Sequence, residues 1–296
     1  MILIGGLTRL TDSGLSMVNW NPILGIIPPI TDQDWIKLFD DYKNSPEYLI
    51  VNKSMELNGF KYIFWWEWFH RFFARFIGLI FIIPMIILII QKKISKNLLF
   101  SLSIVFLLGL FQAVVGWWMV QSGLNENPYV SSYRLAFHLS NAVIILSILF
   151  WLTLNSRISI TKKFFPIKKT EFNVLFLILL VFVTIITGAF MAGSNAGQSF
   201  NSYPLMNGSL FPEGYFLDGY GYKNYFENTI AINFNHRWVA TFTFLVTIFF
   251  IVYIYLGGKF MKYHLSLYWI FIFLCLQFIL GILTAWGIDE LWKPKE

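Results

Sequence analysis

The chain carries a single cysteine, Cys275, set inside an apolar stretch. It cannot close an intramolecular disulfide, and alone it cannot build a cysteine-based metal site. A small buried hydrophobe is the ordinary reading of such a residue. Charge is scarce too: 13% of the 296 residues are Asp, Glu, Lys or Arg, about half the share usual in a soluble domain. With 57% hydrophobic residues and a mean hydropathy of +0.62, that scarcity excludes a soluble globular domain. The net charge of +6 makes no case for nucleic acid, because Lys and Arg gather in short segments between apolar runs. Met1 to Leu7 has no basic stretch before it, so no cleavable signal peptide is visible.

What is present is a series of apolar runs, each long enough to cross a bilayer as a helix. Six full spans are expected, over 65–90, 98–120, 132–154, 172–192, 230–256 and 265–286. Met1–Leu7 reads as the end of a further span. The connecting segments alternate in character. Lys92, Lys93 and Lys96 lie in one; Arg157, Lys162, Lys163, Lys168 and Lys169 in another; Lys259 and Lys262 in a third. Excess Lys and Arg marks the cytoplasmic or matrix side. The segments 8–64, 121–131 and 193–229 then lie outside, and six spans satisfy this alternation throughout. His264, beside Lys262, falls on the inner side and reads as a solvated loop residue.

His70-Arg71 and His236-Arg237 stand 166 positions apart. Each pair lies just inside the start of a long apolar run, and an imidazole is costly there. His138 follows Ser132 in the same way. Counted from the expected span starts, all three histidines lie roughly 6–10 Å below the outer surface, a coincidence that favours a ligand role over core filling. The repeat extends further. Gly5, Gly14, Ser16, Gly25 and Pro29 match Gly188, Gly197, Ser199, Gly208 and Pro212 at an offset of 183, and Gln112 and Gly116 match Gln277 and Gly281 at 165. Each half then reads as four helices. The counterpart of His138 would fall near position 303, beyond Glu296.

Two imidazoles on facing helices of a four-helix bundle can grip one heme between them, and His70 and His138 suit that role. Zinc is the weaker reading, for want of a closed set of four ligands. A 20% aromatic content suits the wall of a macrocycle pocket, although most of it belongs to lipid-facing and interfacial packing. Arg71, Arg75, Arg134 and Arg237 lie at the outer ends of the same helices. Their guanidinium forks would pair with heme propionates or anchor among lipid headgroups. For Arg71 and Arg237 the choice is between propionate pairing and a purely structural pairing.

Glu67 precedes His70 by three residues and shares its helix face. It is a candidate proton acceptor or stabiliser of developing positive charge; otherwise it is an acid placed near a helix N-terminus by the macrodipole. Glu227 stands nine residues before His236, so the second half lacks this arrangement, which points to chemistry in the first half alone. A non-enzymatic b-type cytochrome competes with this oxidoreductase reading. A transporter built of repeats competes less well, because the polar residues crowd the outer rim.

The segments 5–16 (GGLTRLTDSGLS), Trp65 to Arg71, 112–124 (QAVVGWWMVQSGL), 131–138 (SSYRLAFH), Ala192 to Pro212 and Glu227 to Arg237 together resemble heme A synthases of the proteobacterial and mitochondrial type. The resemblance implies an all-α integral membrane protein of two pseudo-symmetric four-helix bundles. The family pattern has eight spans and four histidine ligands; here six full spans and a partial first are read, as if truncated at both ends. Residues 1–155 would form the substrate-heme bundle, 156–171 a cytoplasmic or matrix linker, and 172–296 a heme b bundle whose last helix is missing. The tail from Ala285 would stay out of the membrane.

The implied activity converts heme O to heme A for cytochrome oxidase assembly, by successive hydroxylation of a ring methyl to a formyl group. His70 and His138 would be axial ligands of the substrate heme iron, with Glu67 the catalytic acid. His236 would be one ligand of an electron-relaying heme b, and Arg71, Arg134 and Arg237 would help hold the cofactors. The loop cysteine pair of some bacterial members is absent. Implied partners are heme O, heme O synthase, oxidase assembly factors, the lipid bilayer and a second copy of the chain; nucleic acid is not among them. The implied location is the bacterial cytoplasmic or mitochondrial inner membrane, with the heme sites toward its outer side.

Overall fold

A computed structural model describes residues 1–21, 24–125, 127–157, 169–257 and 260–287. Most of the expected linker, Lys259 and the tail from residue 288 lie outside these. Among the described residues the regular structure is helical. The order is α1 (Ile2–Leu10), α2 (Asp32–Lys43), α3 (Pro46–Ile50), α4 (Leu57–Ile90), α5 (Lys96–Gln121), α6 (Ser132–Arg157), α7 (Lys169–Gly193), α8 (Asn224–Glu227), α9 (Thr229–Leu256) and α10 (Phe260–Ala285), with short 3-10 turns between some of them. The chain forms two compact units, Met1–Ile160 and Thr161–Glu296.

Six helices are long and apolar enough to cross a membrane: α4, α5, α6, α7, α9 and α10. Their apolar side chains point outward; Leu79, Ile80, Ile83, Ile86 and Ile87 on α4 are all exposed. Water would not tolerate so much apolar surface, whereas hydrocarbon accepts it, and a helix satisfies every backbone group internally. The chain is an integral, multi-pass, all-α membrane protein.

The helix starts follow local capping chemistry. The Thr31 hydroxyl accepts from the Asp34 backbone N–H while the Asp34 carboxylate accepts from that of Thr31, a capping box that opens α2. Ser45 caps α3 ahead of Pro46, Ser95 caps α5 and Asn228 caps α9. Gln91 ends α4, and Lys92 beyond it adopts a positive φ of 53°.

One boundary differs from the sequence expectation. Helix α4 starts at Leu57 and runs 34 residues, about 51 Å at 1.5 Å per residue against a hydrocarbon core of about 30 Å. Its first turns are aromatic because they pack on protein. Phe60, Ile63, Phe64 and Trp68 join Trp35, Phe39 and Tyr42 of α2 in one buried cluster. His70 is therefore the fourteenth residue of its helix, while His138 and His236 are the seventh and eighth of theirs. His70 therefore lies further along its helix than His138 and His236 along theirs, because α4 begins in the segment that packs on α2. His264 also departs from expectation: it is exposed as read, but lies in the first turns of α10 instead of a loop.

Candidate functional site

In unit 1 the site is built from α1, the loop after it, α4, α5 and α6. Glu67 is 3% exposed, and its carboxylate accepts from three donors. The Ser16 hydroxyl and the Met17 backbone N–H both donate to Oε2, each at 2.7 Å. Arg71 Nη2 lies 2.5 Å from Oε1 and also donates to the Met17 carbonyl at 3.1 Å. The guanidinium faces the Trp20 ring at 5.1 Å. Glu67 is the eleventh residue of α4, so the reading as an acid in a helix's first turn is wrong: the helix begins too far upstream. Charge-assisted hydrogen bonds to the carboxylate tie the loop 11–17 to α4. Leu15 is buried in the same loop, and a Cβ on Gly123 would strike its side chain at 2.7 Å, so glycine there makes room for the loop.

Each of the three histidines lies along a glycine of a neighbouring helix. A Cβ at Gly5 would lie 3.5 Å from His70 Cε1, one at Gly116 3.0 Å from His138 Cε1, and one at Gly188 3.1 Å from His236 Cε1. Gly5 and Gly188 are repeat equivalents, as are His70 and His236, so the same ring-on-glycine contact is made twice.

The ring partners were not read from sequence. Gln112 Nε2 stands 3.3 Å from Nδ1 and 3.2 Å from Nε2 of His138, and donates to the His138 carbonyl at 3.0 Å. Asn141 Nδ2 donates to Gln112 Oε1 at 2.6 Å, fixing the amide. The repeated Gln-x-x-x-Gly thus has a physical job in unit 1: the glutamine holds the ring and the glycine lets it approach. In unit 2, Thr187 Oγ1 lies 2.9 Å from His236 Nδ1 and donates its own proton to the Thr184 carbonyl at 3.0 Å. The threonine oxygen therefore accepts from Nδ1–H, leaving the Nε2 lone pair for a ligand.

The arginines separate into distinct roles. Arg71 pairs with Glu67, a structural pairing. Arg75 Nη2 donates to the Asn21 carbonyl at 3.1 Å. Arg134 donates to the Trp118 carbonyl at 2.7 Å and sits 4.5 Å from the Trp118 ring, at an exposed position near the end of α5. Arg237 is 9% exposed; it donates to the Phe200 carbonyl at 2.9 Å and to that of Ser202, and its Nε is buried without a hydrogen-bond partner. Among the described residues no ion pair reaches Arg237.

The segment 32–55 of unit 1 holds a second buried acid, Glu47. Glu47 Oε2 accepts from the Tyr42 hydroxyl at 2.9 Å, which accepts from Asn52 Nδ2 at 2.8 Å. Burial pushes the Glu47 carboxyl up to about 7, against the Tyr42 hydrogen bond, which lowers it. Burial also raises the Tyr42 hydroxyl.

These features fit an imidazole-ligated porphyrin better than a closed metal site. Among the described residues no three His, Cys, Asp or Glu side chains gather to hold an ion. His138 and His236, each against a glycine and engaged by one polar side chain, are rings that could serve as ligands to a heme.

The family model for COX15-CtaA, cytochrome oxidase assembly protein, matches residues 1–292. A heme A synthase of Nitrosomonas eutropha is 43% identical over 246 residues, covering 81% of this chain and 68% of its own. One from Maricaulis maris is 44% identical over 242 residues, covering 81% and 70%. One from Bartonella tribocorum is 38% identical over 286 residues, covering 96% and 79%. No solved structure matches. With a family model spanning nearly the whole chain and relatives above a third identical across most of it, the chain belongs to the heme A synthase family.

Proposed function

We propose that the protein is a membrane oxidoreductase that converts heme O to heme A for the assembly of cytochrome oxidase. The observation that carries the residue-level reading is the buried Glu67, three residues from His70 on one helix, with its carboxylate fixed by Ser16, Met17 and Arg71. His70 and His138 would hold the substrate heme in unit 1. His236, its Nδ1 engaged by Thr187, would hold heme b in unit 2, and Arg237, a buried cation that meets only backbone carbonyls, would receive a propionate. When bound, the iron supplies the one-electron chemistry that oxidation of a ring methyl needs.

The chain's own residues do the rest. Gly5 and Gly116 set how closely the His70 and His138 rings approach their neighbours, and Gln112 with Asn141 orients His138. Oε2 of Glu67 is committed to two donors. Oε1 has one, from Arg71, and would be the atom to accept a proton as the methyl carbon is oxidised. The sites would lie toward the outer face, since the loop clasped by Glu67 is on the side opposite the lysine-rich segments.

The test is pigment extraction from purified protein followed by reverse-phase chromatography. Heme O, a hydroxylated form or heme A is expected from the unsubstituted chain, and heme b alone would replace this reading with that of an electron carrier. Glu67→Gln should keep the Soret band and stop product formation. Full turnover by that variant would end the catalytic role of Glu67.

A further inference from the structure

The two units hold corresponding loops through corresponding arginines. Ser13, Ser16 and Met17 match Ala196, Ser199 and Phe200 at the offset of 183, and Glu67 and Arg71 match Asn233 and Arg237 at 166. The contacts match as well. Arg71 Nη2 donates to the Met17 carbonyl at 3.1 Å, and Arg237 Nη2 to the Phe200 carbonyl at 2.9 Å. One position breaks the symmetry. Where unit 1 has the Glu67 carboxylate, unit 2 has Asn233, fully buried. Its Nδ2 donates to the Ala196 carbonyl at 2.7 Å, and its Oδ1 is buried with no hydrogen-bond partner.

The consequence is electrostatic. The Glu67–Arg71 pair sums to zero charge, whereas Asn233 leaves the buried Arg237 charge without a carboxylate. Unit 2 is therefore one positive charge richer than unit 1 at an equivalent place, three residues before and one after its histidine. A buried charge is weakly screened, and an added positive charge favours the reduced form of a nearby iron.

We propose that Asn233 sets the redox poise of unit 2, making its iron the better electron acceptor of the two sites. This rests on the reading above that each unit binds an imidazole-ligated heme.

The experiment is a redox titration followed at the Soret band, on the full chain loaded with heme b. A His70→Ala background leaves unit 2 as the reporter. Asn233→Asp should lower the midpoint so that the reduced-to-oxidised ratio at fixed potential falls at least tenfold, about 59 mV for a one-electron couple. The neutral Asn233→Ser should stay within about a third of that shift. An intact Soret band with no shift in the Asp variant, or an equal shift in the Ser variant, would overturn the proposal. Should Asp at this position lose heme, Glu67→Gln on a His236→Ala background makes the reverse change in unit 1. A tenfold rise in the ratio supports the proposal, and no rise overturns it. Absence of any Soret band in the unsubstituted protein is a different result, which would overturn the heme reading itself.

Discussion

Ser16→Ala isolates the hydrogen bond that ties the loop 11–17 to Glu67 on α4. The hydroxyl lies 2.7 Å from Glu67 Oε2, buried, on a residue 2% exposed. A hydrogen bond to a charged group contributes about 1.5–3 kcal/mol, and removing the hydroxyl leaves Oε2 with the Met17 N–H alone. That N–H is itself the reporter, because its exchange with solvent requires the loop to lift from Glu67. Loss of 1.5–3 kcal/mol from local opening corresponds to an increase of roughly 10- to 150-fold in exchange rate at Met17. Hydrogen exchange followed by mass spectrometry on the detergent-solubilised chain reads this directly. Ser16→Thr keeps the hydroxyl and should retain most of the protection. In a Glu67→Gln background the same Ser16→Ala change should cost less, giving a coupling of about 1 kcal/mol or more in a double-mutant cycle. Unchanged Met17 exchange in Ser16→Ala, or additive effects across the cycle, would refute the view that the carboxylate and the loop are held as one unit.

The glycine–histidine contacts predict a graded series. Gly5→Ala puts its Cβ at an ordinary 3.5 Å from His70 and should leave the Soret band intact, while Gly116→Ala and Gly188→Ala, at 3.0 and 3.1 Å from their histidines, should weaken heme retention by an overpacking cost of about 1–3 kcal/mol; equal retention across all three in a hemin titration would count against ring placement by glycine. Glu47 predicts a pH dependence. Its folded carboxyl is raised from 4.5 to about 7, so the folded state binds the extra proton and the segment 32–55 is most stable below pH about 4.5, losing on the order of 3 kcal/mol at most as pH rises through 7. Protease cleavage within 32–55 should accelerate between pH 5 and 8, and Glu47→Gln should flatten that profile.

Much of the site was legible because membrane burial makes polar residues conspicuous. Three histidines in apolar runs and a repeat at offset 166 needed no structure to be noticed. Glu67 stood out by its spacing from His70. What escaped was contact information. Glu227 is the nearest carboxylate before His236, yet the offset of 166 pairs Glu67 with Asn233. A neutral residue at the equivalent place carries meaning only once its buried Oδ1 and its shared loop geometry are seen. The pairing of Arg71 with Glu67, Nη2 to Oε1 at 2.5 Å, was likewise contact information that the sequence did not carry. The start of α4 was misplaced because an aromatic run looks the same whether it meets lipid or packs on α2.

By itself the sequence determined the solvent, the number of long helices, the duplicated plan and the histidines, because hydropathy and periodicity are properties of a chain read one residue at a time. Only the tertiary structure decided which glycine each ring rests on, that Gln112 and Thr187 orient two of those rings, and that the two units differ by one buried negative charge. Those depend on pairs of residues far apart along the chain reaching hydrogen-bond or van der Waals distance, where a few tenths of an ångström set the energy.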